Sequence, residues 1–228
     1  MSRETLGRVW LQADGNGAAL WRATRRELAQ AFAAIKKLGA QKQGEVLARP
    51  SVVLDLAARG YAAQTLALIE RLGPERQGDI LAAPYAIAGL ADNGATAGAL
   101  AIVATLRSQQ RARILATHGS VVSLADAGYG PWVIRSLNEM AKEEQTTALA
   151  VACAVKGLAE NGQAEQTTRI IAQLSGEQQA VVLAARGAIV ALVDAAQGDS
   201  LERILGNIAA AVRPQTRVGV SEVPAAPH

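Results

Sequence analysis

The sequence predicts an all-α protein, a right-handed α-solenoid of about five 34-residue helical repeats, and three observations carry that expectation. The first is a set of leucine columns with no insertion between repeats: Leu38, Leu72, Leu106, Met140, Leu174 and Ile208; Leu47, Leu81, Leu115, Leu149 and Leu183; Leu56, Leu90, Leu124, Leu158 and Leu192. The second is helical spacing inside one unit. Ile80, Leu81, Ile87, Leu90, Leu100, Val103 and Leu106 include three- and four-residue steps, and nothing alternates as a strand would. The third is a glycine column, Gly60, Gly94, Gly128 and Gly162, broken at Ala196. A fixed period of this length marks a stacked unit that buries its apolar face only against its neighbours.

Along the chain, residues 1–37 read as an N-terminal helical cap. They lack the leucine columns, but Trp21, Leu28, Phe32 and Ile35 form a helical stripe and Thr24-Arg-Arg-Glu27 fits a capping box. Residues 38–212 hold the repeats. In the second unit Gly73-Pro74 is a helix start, because a proline in the first turn loses no hydrogen bond, and Pro84 punctuates again. The spacing predicts helices over 74–83, 84–92 and 95–106. Asp92-Asn93-Gly94 is the stop: a helix ends most easily on a residue that accepts the left-handed conformation, and glycine does so without a Cβ clash. Glu160-Asn161-Gly162 repeats the solution, and the turns lead into helices at 62–71, 130–141 and 164–174. At Ala196 the turn is expected to re-form nearby, helped by Gly198. Residues 213–228 have too few apolar side chains to order themselves and read as a disordered tail.

Composition narrows the chemistry. Half the residues are apolar and only 3% aromatic, so the core is aliphatic. One cysteine, Cys153, excludes an intramolecular disulfide framework and sits in an apolar run as a small hydrophobe. No signal core opens the chain and no stretch approaches an uninterrupted membrane span, so a cytoplasmic protein with no membrane partner is expected, with secretion lacking a cleaved signal left open. The two histidines, His118 and His228, make no metal spacing, and Asp14-Gly-Asn16-Gly17 fails as a calcium loop because Arg25 falls where a bidentate acid is needed. Gly128-Tyr-Gly130-Pro131 lacks the third glycine of a dinucleotide fingerprint. No catalytic residue, cofactor or metal is therefore expected, and the chain does not read as an enzyme.

Charge is more informative. Net charge is +3, and Arg22, Arg25, Arg26, Lys36, Lys37, Lys42 and Arg49 crowd near the N-terminus against only Glu27 and Glu45. Such a cluster is either a solvated face or a contact for phosphates or an acidic protein. Asp92, Asp126, Glu160 and Asp194 recur at the repeat period, two residues before each turn glycine or its counterpart. A carboxylate in a last helical turn opposes the helix dipole, so it either caps the following helix or forms an acidic ridge for a basic partner. The triplets ending at Gln43, Gln77, Arg111, Gln145 and Gln179 read as a solvated edge.

The segments Gly89-Leu-Ala-Asp-Asn-Gly-Ala-Thr-Ala-Gly-Ala-Leu100 and Gly157-Leu-Ala-Glu-Asn-Gly162, with Pro74 in place, resemble the repeats of transcription-activator-like effectors. The resemblance spans about residues 38–207. Those bacterial proteins wrap DNA and present the inter-helix turn to one base per repeat. The resemblance implies nucleic-acid binding through the turn pairs Arg59-Gly60, Asn93-Gly94, Ala127-Gly128, Asn161-Gly162 and Ala195-Ala196, to which the charge pattern adds the basic residues Arg22, Arg25, Arg26, Lys36 and Lys37. It also places the family's phosphate-side positions at Ala63-Gln64, Ala97-Gly98, Pro131-Trp132, Glu165-Gln166 and Asp199-Ser200, which carry no positive stripe. The acidic column would then border the phosphates, and DNA affinity rests largely on neutralising them. The expected function is accordingly a helical-repeat scaffold for protein–protein interaction or self-assembly, with Asp92, Asp126, Glu160 and Asp194 as partner-binding residues. Nucleic-acid binding is the alternative.

Overall fold

The computed structural model describes residues 25–212, with the side chains of Arg25, Arg26, Leu28 and Val212 outside the description. Residues 1–24, which include Trp21, Arg22 and Thr24, and residues 213–228 lie outside it, so the capping box and the tail do too. Every element among the described residues is helical, and no strand occurs.

The first helix, α1, is Arg25–Lys36. Three helices then recur five times. The leading helices are α2 (Ala40–Leu47), α5 (Pro74–Leu81), α8 (Ser108–Leu115), α11 (Lys142–Leu149) and α14 (Gly176–Leu183). The middle helices are α3 (Val52–Leu56), α6 (Ala86–Asp92), α9 (Ser120–Leu124), α12 (Ala154–Leu158) and α15 (Ala188–Asp194). The closing helices are α4 (Ala62–Glu70), α7 (Thr96–Thr105), α10 (Gly130–Asn138), α13 (Ala164–Ala172) and α16 (Gly198–Val212). The second unit matches its expected three helices to within a few residues.

Leading helices pack on leading helices and middle helices on middle helices, each one repeat along the chain. The leucine columns lie in those contacts: the second and third columns are buried throughout. Each buried leucine contributes roughly 1.5–3 kcal/mol relative to exposure, so the period is also the unit of cohesion. The close middle-helix approach has its own device. A Cβ on Gly89 would lie 2.5 Å from the Leu54 Cα, and one on Gly157 would lie 3.0 Å from the Val122 Cα, so the backbones meet where only hydrogen fits.

Four features depart from the sequence expectation or add to it. Helix α1 is in register with the closing helices: Ile35 occupies the position of Ile69, Val103, Leu137 and Ile171, all buried, so the 34-residue period extends further towards the N-terminus than the leucine columns suggest. Gly94 and Gly162 hold positive φ as expected, at 77° and 78°. Ala196 holds it as well, at 58°, so the fifth turn keeps its place and forces alanine into the left-handed region. A second left-handed column opens each middle helix, at Ser51, Tyr85, Gly119, Cys153 and Gly187. That strained geometry is fastened across repeats where Cys153 N–H donates to the Arg186 carbonyl at 3.1 Å and Ser51 N–H to that of Pro84 at 3.4 Å.

The polar triplets are the fourth. Their last residue is not a solvated edge, because it points inward and takes up carbonyls orphaned at the end of a closing helix. Gln179 Nε2 donates to the carbonyls of Ile171, Ala172 and Leu174, and Gln145 Nε2 to those of Leu137 and Met140. Gln77 Nε2 reaches Ile69 and Glu70, and half-buried Gln43 reaches Ile35 and Lys36. Arg111 breaks the column and pairs with Glu139 at 3.1 Å instead.

The apolar stretch Val52–Glu70 reaches membrane-spanning length, but it is two helices, α3 and α4, joined across a kink at Gly60, where φ is 89°.

Candidate functional site

The acidic column stands at the C-terminal ends of the middle helices and in the turns that follow them. Asp92 ends α6 and Asp194 ends α15, whereas Asp126 and Glu160 lie in the wide turns Ala125–Tyr129 and Ala159–Gln163. All four side chains are exposed. None caps the following helix: the N-cap positions of α7, α10 and α13 are Ala95, Tyr129 and Gln163, and no side chain caps them. Asp126 Oδ1 instead accepts from Asn161 Nδ2 of the next repeat at 2.9 Å, and Glu160 faces Lys156 at 3.7 Å within its own helical turn. Asp92 and Asp194 take part in no ion pair among the described residues.

Two of the turn residues that the effector resemblance assigns to bases, Asn93 and Asn161, are directed back onto their own helices. Asn93 Nδ2 donates to the Gly89 carbonyl at 2.8 Å and Asn161 Nδ2 to the Gly157 carbonyl at 2.9 Å, which satisfies one acceptor at the end of a middle helix. Gly94 and Gly162 supply the left-handed turn beside them, with open space where a Cβ would stand. Of the basic cluster, Lys36 and Lys37 are exposed at the end of α1, on the far side of the first repeat in sequence from the turn at Asn93. Arg22 and the side chains of Arg25 and Arg26 lie outside the described residues.

The leading-helix edge differs in its electrostatics. Arg107 approaches Glu75 at 3.5 Å and Arg113 approaches Asp79 at 3.4 Å, both across adjacent repeats, and Gln110 Nε2 also donates to Glu75 at 3.2 Å. Such exposed pairs are worth about 0–1 kcal/mol each, and they neutralise Glu75 and Asp79 at one repeat junction. On the turn edge Asp92 and Asp194 have no such partner among the described residues.

Two other places hold polar groups together. An open groove of about 630 Å³ runs between α13 and α16 past Gln173 and Asn207; its cations are already engaged, Arg169 by Glu165 and Arg203 by Ser200. In α3, Asp55 is buried and its Oδ2 has no hydrogen bond. Burial pushes its carboxyl above the ordinary value of 3.8, opposed by the Arg59 guanidinium. Cys153 is half-buried, and the Tyr85 and His118 rings meet edge to face at 5.3 Å. Among the described residues no three His, Cys, Asp or Glu side chains converge.

In comparisons with known proteins, no family model, curated protein or solved structure matches this chain.

Proposed function

We propose that the chain is a right-handed α-solenoid of about five 34-residue repeats, capped by helix at its N-terminus, and that it acts as a scaffold for protein–protein interaction. Its turn edge, with Asp92, Asp126, Glu160 and Asp194 one repeat apart, receives a basic protein segment. The stacking of each leading and middle helix on its counterpart supports the architecture. The observation that carries the function is the periodic row itself: Asp92, Asp126, Glu160 and Asp194 stand exposed one repeat apart without capping the helix that follows, and Asp92 and Asp194 are in no ion pair among the described residues. A periodic row of charge on a rigid stack suits a partner of matching periodicity, and repeat proteins commonly bind through such extended surfaces.

The alternative, nucleic-acid binding through the turns and the basic N-terminal helix, competes for the same edge. Capture of partners from lysate, with and without nuclease, is paired with titration of labelled duplex DNA at two salt concentrations. On the scaffold reading, capture survives nuclease and is lost when Asp92, Asp126, Glu160 and Asp194 become Asn or Gln, and DNA binds weakly. Tight, sequence-selective and steeply salt-dependent DNA binding by the unmodified chain overturns it.

A further inference from the structure

We propose that two copies of this chain associate through their C-terminal ends, α15 against α15 about a two-fold axis at Val190. The proposal deepens the scaffold reading by naming one partner, and it rests on that reading only for the repeat stack. In the first four repeats the next middle helix covers the face made by Val53 and Ala57, Ile87 and Ala91, Val121 and Ala125, and Val155 and Ala159, all of which are buried. The corresponding residues of α15 are Ile189 and Val193, and they are 43% and 53% exposed, with Val190 between them at 64%. The last repeat therefore presents the face of an inner repeat. Exposed apolar surface of this kind is unusual at the end of a stack, where a terminal repeat normally carries a polar outer face.

The neighbouring helices do not close this face. Helix α16 folds back over α14, with Gly176 against Ala211 and the Asn207 carbonyl, so the leading-helix column is finished while the middle-helix column is not.

Head-to-tail stacking is disfavoured by the other end. On α3 the position equivalent to Gly89 and Gly157, which receive the preceding helix, is Asp55, and it is already buried within the single chain. An incoming α15 would meet Asp55, whose Oδ2 has no hydrogen bond, and no large exposed hydrophobic side chain on α3 among the described residues.

Association of two like faces has no such obstacle, and charge favours it. Arg186 precedes α15, Asp194 ends it, and both are exposed and outside any ion pair among the described residues. Val190 is midway between them in sequence. A two-fold axis there runs the two helices antiparallel and sets Arg186 of each copy beside Asp194 of the other, with the valines and isoleucines between. Closed two-fold pairing of one patch with itself is the commonest form of homo-oligomer.

Sedimentation equilibrium of the full chain over a concentration series tests this. The expected result is a mass rising from one chain toward two. Val190→Glu with Val193→Glu, at exposed positions that leave the inner stack intact, is expected to weaken association about tenfold or more through like charges facing across the axis. Arg186→Glu and Asp194→Arg are each expected to weaken it, and the two together to restore it, because the swap rebuilds the cross-axis pair. A constant monomer mass overturns the proposal, whether the face stays open, is covered by residues 213–228 or takes an unrelated protein. So does a dimer indifferent to both sets of substitutions, or an open-ended series of larger species. A chain that retains a basic partner but stays monomeric overturns this proposal and leaves the scaffold reading standing.

Discussion

Replacing Ala196 with glycine should stabilise the protein, which is an uncommon outcome for removal of a side chain. The first four repeats carry glycine at this turn, with φ between 77° and 89°, and the fifth holds alanine at 58°. A left-handed L-residue pays about 1–2 kcal/mol for the approach of its Cβ to the following carbonyl. Glycine relieves that strain but brings back about 0.4–1 kcal/mol of unfolded-chain entropy. The difference leaves Ala196→Gly stabilising by about 0.5–1 kcal/mol. Gly94→Ala is the mirror experiment. A Cβ at Gly94 meets nothing within 4 Å, so no clash adds to the backbone strain, and the net cost, strain less the entropy removed from the unfolded chain, should equal the Ala196→Gly gain with opposite sign. Urea unfolding followed by circular dichroism measures both, provided the denaturant slope is unchanged. Amide exchange in α16 reports Ala196→Gly separately, since a stack can fray from its end. A neutral or destabilising Ala196→Gly beside a harmless Gly94→Ala would refute the turn geometry.

Two further substitutions probe the buried polar groups. Gln179→Leu removes the donor shared by three carbonyls at the end of α13 and should cost about 1–3 kcal/mol. Gln43→Leu, at a half-buried site that water can reach, should cost less, and equal thermal shifts would show that the glutamine column is not what closes these helices. Asp55→Asn tests the raised carboxyl. Because the native state holds its proton more tightly than the unfolded chain, Asp55 favours folding most below pH 3.8, and that contribution is lost as pH rises through its raised value. The variant lacks this dependence, so its stability relative to the parent should climb as pH rises above about 4. A pH-independent difference, or one that falls, contradicts the assigned burial.

The sequence made the period and the three helices of the second unit legible because both rest on apolar burial, which leaves the same residue type at the same offset. The left-handed column at Ser51, Tyr85 and Cys153 was hidden for the opposite reason: only Gly119 and Gly187 advertise it, while Ser51 and Cys153 donate backbone hydrogen bonds to the following repeat and the Tyr85 ring meets His118 there. Gln43, Gln77, Gln145 and Gln179 did leave a signal. An uncharged amide returned at one offset while Glu, Lys and Arg changed around it, as expected where a carbonyl waits and a full charge would be costly to bury. Gly98 shows the limit of reading one residue alone. It looks like a spacer, but its Cβ would stand 2.3 Å from a Leu66 methyl, so substitution there tests packing as well as backbone freedom.

The acidic column remains after these structural accounts are taken out. Had its members been caps, stability would explain them; each would save about 1 kcal/mol by satisfying a helix N–H. Asp126 is occupied by Asn161 and Glu160 by Lys156, but those contacts lie at an exposed edge and offset little more than the dipole cost of about 0.3–1 kcal/mol. Asp92 and Asp194 have not even that compensation. Stability alone would favour a neutral residue at all four positions, as Ala58 already provides at the equivalent place in the first repeat. On the proposed scaffold reading the cost is recovered on binding, when a cation, supplied by a basic segment or at Asp194 by Arg186 of a second copy, stands beside each helix end and satisfies the carboxylate and the helix dipole together.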